Sequence, residues 1–175
     1  MIKIKIGGWA GQGTVLAGTI LGKALALERG YNVVQRRSYS AAVRSGIAYS
    51  DVIADDSEVD ELRIDKPDYL LVLYQNTLNA WKDMARDVEY LIVDSSRVEE
   101  IPDTDAEVYE VTAGKIAEEI ASSKAANIVL LGTLAKISEY IDLDSLIKTI
   151  KSDFPEKYVD MNVRAVKKGF DFVDK

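Results

Sequence analysis

The residues best placed to do chemistry stand near the front of the chain, in Gly7-Gly8-Trp9-Ala10-Gly11-Gln12-Gly13, directly behind Ile2-Lys3-Ile4-Lys5-Ile6. Glycine admits positive φ and lets another group come close to bare N–H groups. The helix expected after them would add partial positive charge at its N-terminus. Such a turn is a candidate cradle for a phosphate or similar anion, with Gly8, Gly11, Gln12 and Gly13 as its contacts. It can equally be a tight turn that packs a helix against a sheet or another subunit. A second candidate is the group Arg36, Arg37 and Arg44, three guanidinium groups within nine positions of an otherwise acidic chain. Guanidinium offers paired donors to phosphate and carboxylate oxygens, so the three could clamp an anion. They could also pair with the abundant acids, within the chain or across an interface.

Neither regular nucleotide motif is present. The dinucleotide fingerprint wants a third glycine where Leu16 stands, and an acidic residue about twenty positions further on. The second strand region instead reads Val33-Val34-Gln35-Arg36-Arg37. A phosphate-binding loop fits Gly8, Gly13 and Thr14 only without its lysine.

Absent residue types narrow the chemistry further. The 175 residues contain neither cysteine nor histidine. The chain therefore offers no thiolate for an iron–sulfur cluster, no disulfide, no thiol nucleophile and no imidazole base or ligand. Carboxylates, lysines, hydroxyls and backbone amides remain, which favours a part of a larger machine over a self-contained enzyme. The net charge of −7 argues against nucleic acid as the main partner. No apolar run approaches the roughly twenty residues of a membrane span, and Met1-Ile2-Lys3 leads into a strand instead of a secretory signal. The expected compartment is the cytoplasm.

The elements that must position these groups follow from periodicity. Residues 2–6 alternate apolar and basic, which predicts a strand with one buried face. Residues 14–29 predict a helix with Leu16, Ile20, Ala24 and Leu27 on its apolar face, Ala17, Leu21 and Leu25 beside them, and Gly30 at its C-terminal cap. The stretch 32–56 reads as an irregular strand-loop-strand insertion. Tyr69–Tyr74 and Tyr90–Ser95 are short apolar runs expected of strands buried on both faces, with Gln75-Asn76-Thr77 at the ligand-facing end of the first. Residues 108–111 suggest an edge strand, and 78–86 a helix. Residues 115–138 suggest helix with a narrow apolar stripe interrupted by Gly132. Two more helices follow, one over Leu143–Ile150 capped by Asp142 and one carrying Val159, Val163, Val166 and Phe170. Alternating strands and helices predict a three-layer α/β domain with a mainly parallel sheet.

With these segments placed, the chain resembles the gamma subunit, or gamma domain, of 2-oxoacid:ferredoxin oxidoreductases. The resemblance is carried by the opening glycine-rich loop followed by Leu16-Ala17-Gly18-Thr19-Ile20-Leu21-Gly22-Lys23-Ala24, by Ser38-Tyr39 and Arg44-Ser45-Gly46 before Ser50-Asp51-Val52-Ile53, by Ala126-Asn127-Ile128-Val129-Leu130-Leu131-Gly132, and by Asn162, Ala165 and Gly169. Ala10 and Ser45 stand where that family usually has glycine, and Ser40-Ala41-Ala42-Val43 replaces a Gly-Pro-Glu-Ala run. The resemblance implies a single Rossmann-like domain over residues 1–175. It also implies a complex with alpha-, beta- and delta-type subunits that oxidatively decarboxylates a 2-oxoacid to an acyl-coenzyme A and passes electrons to ferredoxin. Thiamine diphosphate, magnesium and iron–sulfur clusters would belong to the other subunits, and this chain would hold no cofactor or catalytic centre of its own. The glycine loop and Arg44 would border the approach of coenzyme A. The first helix and Ser38-Tyr39 lean toward the 2-oxoglutarate branch over the pyruvate one. The alternative is a stand-alone Rossmann-like domain that binds a nucleotide or small anion.

Overall fold

Strand β1 (Ile2–Trp9) runs through the middle of a six-stranded sheet of order β2-β3-β1-β4-β5-β6 in the computed structural model, which describes residues 1–38, 46–120 and 123–173. Here β2 is Asn32–Ser38, β3 Ile47–Asp55, β4 Tyr69–Val72, β5 Tyr90–Asp94 and β6 Glu107–Val111. Strands β1, β4, β5 and β6 are parallel, while β3 is antiparallel to both β1 and β2. The 32–56 stretch is strand-loop-strand as expected, with residues 39–45 between its strands outside the described residues. It supplies a regular antiparallel pair that completes one side of the sheet, and β6 forms the opposite edge, as its weak pattern suggested.

Helices cover both faces. On one lie α1 (Thr14–Lys23), α4 (Ala113–Ile120), α5 (Ala126–Ile137), α6 (Leu143–Asp153) and α7 (Glu156–Phe172), packed with Ile2, Ile4 and Ile6 into the larger core. On the other, α2 (Gln75–Ala80) and α3 (Lys82–Arg86) enclose Leu70, Val72, Leu91 and Val93. Asp142 caps α6 by accepting the Ser145 N–H at 2.7 Å, as its position predicted.

Four expectations are corrected by packing. The alternation in β1 predicts an exposed Lys5, yet Lys5 is buried and its Nζ lies 2.5 Å from Oδ1 of buried Asp51 on β3. A central strand covered on both faces leaves no wet side, so the ammonium is met by a carboxylate and by the rings of Tyr49 and Trp81, 4.5 and 5.3 Å from their centroids. Leu16 and Leu27, assigned to the apolar face of the first helix, are 43% and 75% exposed. Ala17, Ile20, Leu21, Ala24 and Leu25 make the buried face, and a π-helical turn over Ala24–Glu28 shifts the register of the last turn. The expected 78–86 helix begins earlier and breaks at Trp81, whose ring occupies the space a side chain on Gly7 would need, 2.1 Å from its ideal Cβ. Finally, α5 has no narrow stripe: every residue from Ala126 to Ala135 is buried, because α4, α6, α7 and the sheet surround it.

At the end of the sheet away from the glycine loop, Tyr69 and Tyr90 stack face to face, 4.7 Å between centroids. Tyr109 on β6 donates its hydroxyl hydrogen to Glu107. Burial first, then that hydrogen bond and the Glu107 charge, push the Tyr109 phenol up to about 12. A folded-state value above the unfolded one of about 10 means that the folded chain holds the proton more tightly. The resulting stability is complete below about pH 10 and is lost as pH rises toward 12. The difference between the phenolate titrations of the parent and Tyr109→Phe should show one tyrosine ionising near 12, and a midpoint at 10 would contradict this.

Candidate functional site

Strand β1 feeds α1 on one face of the sheet, and its neighbour β4 feeds α2 on the other. The loops leaving the carboxyl ends of β1 and β4 therefore diverge, which opens a crevice at the switch in strand order. A cleft of about 370 Å³ lies there, lined by Trp9, Ala10, Gly11, Gln12, Leu73, Tyr74, Arg97, Lys124 and Ala126.

The glycine loop is held from several sides. Gln12 uses its own carboxamide inward: Oε1 accepts the Trp9 N–H at 2.6 Å and Nε2 donates to the Leu73 carbonyl at 3.2 Å, which ties the end of β1 to the end of β4. The Ala10 N–H donates to the Gly46 carbonyl at 2.7 Å, linking the loop to the start of β3. Asn127 at the head of α5 donates Nδ2–H to the Gly13 carbonyl at 2.8 Å. Gly13 caps α1 in the left-handed region, φ 73°, and α1 has neither a side-chain cap nor an acid in its first turn.

Of the four loop residues singled out from sequence, Gly11 and Gln12 line the cleft, and Gly8 and Gly13 do not. A Cβ on Gly8 would sit 2.6 Å from Gln12 Oε1, so Gly8 makes room for the loop's own fold. Gly11, at φ 92°, has nothing within 4 Å of its ideal Cβ and gives the cleft open backbone. Ala10 needs no positive φ, so its methyl group is accommodated without strain. Gly13→Val should cost about 1–3 kcal/mol from backbone strain alone. It should also exceed Gly11→Val, because at Gly13 the new Cβ lies 2.6 Å from Asn127 Nδ2. Denaturation midpoints check this, and equal losses at the two positions would contradict the packing argument.

The arginine clamp does not assemble from its described members. Arg36 and Arg37 are consecutive in β2 and so point to opposite faces of the sheet. Neither lines the cleft, and among the described residues neither forms an ion pair. Arg44 lies outside the described residues. Gln75, expected to face a ligand, instead accepts the Glu99 and Glu100 N–H groups at 2.8 and 2.9 Å and clamps that turn onto α2.

The cationic residues that do line the cleft, Arg97 and Lys124, were not singled out from sequence. Arg97 follows Asp94, the last residue of β5, whose carboxylate is wholly buried. Asp94 Oδ1 accepts the N–H groups of Ser96 and Gly114, each at 3.0 Å, so it pins both its own turn and the start of α4. Its Oδ2 has no hydrogen-bond partner among the described residues and lies 3.8 Å from Arg97 Nε. The only legible signal was the Asp94-Ser95-Ser96 polar ending of the apolar run. The cleft lining named above contains two cations and no carboxylate, although the chain carries 29 acids against 22 bases. With Trp9 and Tyr74 tilted together 5.6 Å apart along its wall, the cleft suits an anion that carries an apolar or aromatic portion.

The family model of pyruvate ferredoxin/flavodoxin oxidoreductase matches residues 3–172. A 2-oxoglutarate synthase subunit KorC of Methanocaldococcus jannaschii is 34% identical over 172 residues, covering 97% of this chain and 92% of that one. A crystal structure of a keto/oxoacid ferredoxin oxidoreductase gamma subunit from Geobacter sulfurreducens superposes with a TM-score of 0.86 at 28% identity, over 98% of this chain and 97% of the other. At the level of fold, a chain of the 2-oxoglutarate:ferredoxin oxidoreductase of Magnetococcus marinus, solved with 2-oxoglutarate, coenzyme A and succinyl-CoA bound, gives a TM-score of 0.84 at 22% identity. This chain aligns over 97% of its own length and spans 30% of that one.

Proposed function

The chain belongs to the pyruvate ferredoxin/flavodoxin oxidoreductase family as the gamma subunit of a 2-oxoacid:ferredoxin oxidoreductase, and from that premise we propose that it shapes the approach of coenzyme A in the complex. It acts as one domain over residues 1–175, alongside alpha-, beta- and delta-type subunits in the cytoplasm. The complex converts a 2-oxoacid, 2-oxoglutarate in the first place, to its acyl-coenzyme A and reduces ferredoxin. The observation that carries this is the acid-free, cationic cleft at the switch between β1 and β4 in an acidic chain. Its glycine loop, through Gly11 and Gln12 directly and through Gly8 and Gly13 as supports, borders the coenzyme, with Arg44 as a further contact. Correspondence with gamma subunits over nearly the whole length favours this over a stand-alone nucleotide- or anion-binding domain.

On this reading the chain leaves thiamine diphosphate, magnesium and iron–sulfur clusters to other subunits. It has no cysteine for a cluster, and among the described residues no group of three or more His, Cys, Asp or Glu is placed to hold a metal ion. These groups fall to the partner subunits. Also among the described residues, no helix is long and apolar enough to cross a membrane.

Co-expression with the partner subunits should give a stable complex whose kcat/KM is highest for 2-oxoglutarate in a panel of 2-oxoacids. A complex that prefers pyruvate would overturn the substrate assignment, and a chain that never assembles would overturn the subunit role. In the assembled complex Arg44→Ala should raise KM for coenzyme A. If Arg44 serves an interface instead, the same variant weakens assembly, by roughly 2–5 kcal/mol for a buried pair.

A further inference from the structure

Arg97 is the cation whose surroundings are built to aim it. Its backbone is fixed at both ends of a turn: its N–H and that of Val98 donate to the Asp94 carbonyl, each at 2.9 Å, and its own carbonyl accepts the Gln75 N–H at 3.1 Å. Its guanidinium meets the buried Asp94 carboxylate from the Nε side at 3.8 Å. Among the described residues the Nη groups have no partner, and the side chain is 36% exposed at the border of the cleft. A guanidinium carries five N–H donors in a fixed fork, so one edge can be steered by a carboxylate while the other stays open to an anion. Asp94 suits the steering role, since Oδ1 is bound to two backbone amides while Oδ2 keeps no hydrogen-bond partner. Its negative charge is thus directed at Arg97.

We propose that Arg97 binds a phosphate group of coenzyme A in this cleft, with Asp94 as the positioning residue that holds the guanidinium for it. This rests on the coenzyme reading given above. Phosphate is the ligand chemistry that matches, because two Nη groups side by side present parallel donors to two phosphate oxygens. Arg97 also borders the neighbouring depression where Glu99 and Glu100 stand, and neither glutamate forms an ion pair with it. On the cleft side Gly11 supplies open backbone and no lining residue is acidic.

The test uses the assembled complex and steady-state kinetics with coenzyme A, with dephospho-coenzyme A and with pantetheine, which carries no phosphate. A charge-assisted hydrogen bond to phosphate corresponds to roughly tenfold or more in affinity. Arg97→Met should therefore raise KM for coenzyme A about tenfold or more while kcat stays close to the parent's, and should shift kcat/KM for pantetheine far less. Arg97→Lys, which keeps the charge but not the fork, should fall between. Asp94→Asn preserves the acceptor for the Ser96 and Gly114 amides and removes the steering charge, so its smaller rise in KM should likewise vanish with pantetheine. If dephospho-coenzyme A also escapes the Arg97→Met penalty, the terminal phosphate is the one bound, and if it does not, the diphosphate is. Equal penalties for coenzyme A and pantetheine would make Arg97 a structural residue and overturn the proposal. A separate variant, Ala10→Trp, narrows the cleft while keeping the Arg97 side chain. If it raises KM for coenzyme A while Arg97→Met does not, the coenzyme reading stands and Arg97 is not its contact. If neither variant changes KM, the coenzyme reading fails together with the proposal.

Discussion

Asp51→Ala is expected to destabilise the folded chain by about 3–5 kcal/mol, the cost of leaving one partner of a buried ion pair alone. Lys5 and Asp51 have side chains only 7% and 2% exposed, and their charged atoms lie 2.5 Å apart. Without the carboxylate, the ammonium would keep only the faces of Tyr49 and Trp81, each worth far less than a full charge partner. The double replacement Lys5→Met/Asp51→Leu removes both charges and should recover most of the loss, since an apolar pair of similar volume often serves as well as a buried ion pair. Urea titrations of the three variants measure this, and a loss below about 1 kcal/mol for Asp51→Ala would mean the pair behaves like a solvated surface bridge. The pair also matters for the site. It sits two residues from Gly7 on the strand that delivers the glycine loop, and it engages the Trp81 ring whose space Gly7 leaves open.

Gly132→Ala and Gly169→Ala are expected to destabilise at the upper end of about 1–3 kcal/mol or beyond. An ideal Cβ on Gly132 would stand 2.0 Å from the Val166 carbonyl oxygen, and one on Gly169 would stand 1.9 Å from that of Val129. Both obstacles are backbone, so no side-chain rotation relieves them and α5 and α7 must move apart. Separation would also stretch the bond from Thr133 Oγ1 to the Gly169 carbonyl, 3.0 Å long. The sign makes the test sharp, because helix propensity alone favours alanine over glycine by about 0.5–1 kcal/mol. A raised melting temperature in either variant would show that the helices do not touch at these points. The double variant should lose less than the sum of the singles, since the first methyl already opens the crossing. The consequence reaches the cleft, because α5 begins with Ala126 in its wall and Asn127 on the Gly13 carbonyl.

Much of the scaffold was readable from local pattern. A strand, a glycine-rich turn and a helix at the front, two buried runs at 69–74 and 90–95, an edge strand and a capped 143–150 helix all stand where periodicity and capping chemistry put them. The errors share a cause. Lys5 alternates with isoleucines, and no local rule shows that a tryptophan from the break between α2 and α3 and an aspartate from β3 will enclose it. Gly132 looked like an interruption in a stripe because its partner, the backbone of α7, lies more than thirty residues further on. Leu16 and Leu27 fit a helical stripe, but the π turn and the placement of α1 on β3 bury their neighbours instead.

By itself the sequence settled what this chain can contribute chemically. Without cysteine or histidine it cannot ligate a cluster through thiolates or use imidazole, and separated motifs in order tied it to one kind of subunit. It also marked the glycine loop, because glycine at a turn between strand and helix answers to short-range backbone sterics. Only the tertiary structure decided which side chains face that loop. Tyr74 and Arg97 meet the loop because the parallel strands β4 and β5 deliver their following loops to one end of the sheet, and Lys124 joins them from the turn just before α5. It likewise showed that Gln12 is spent on the Trp9 amide and the Leu73 carbonyl, and that Arg36 and Arg37 diverge across a strand. A residue's type is local, but whether its donors are already taken depends on groups that the chain brings back from far away.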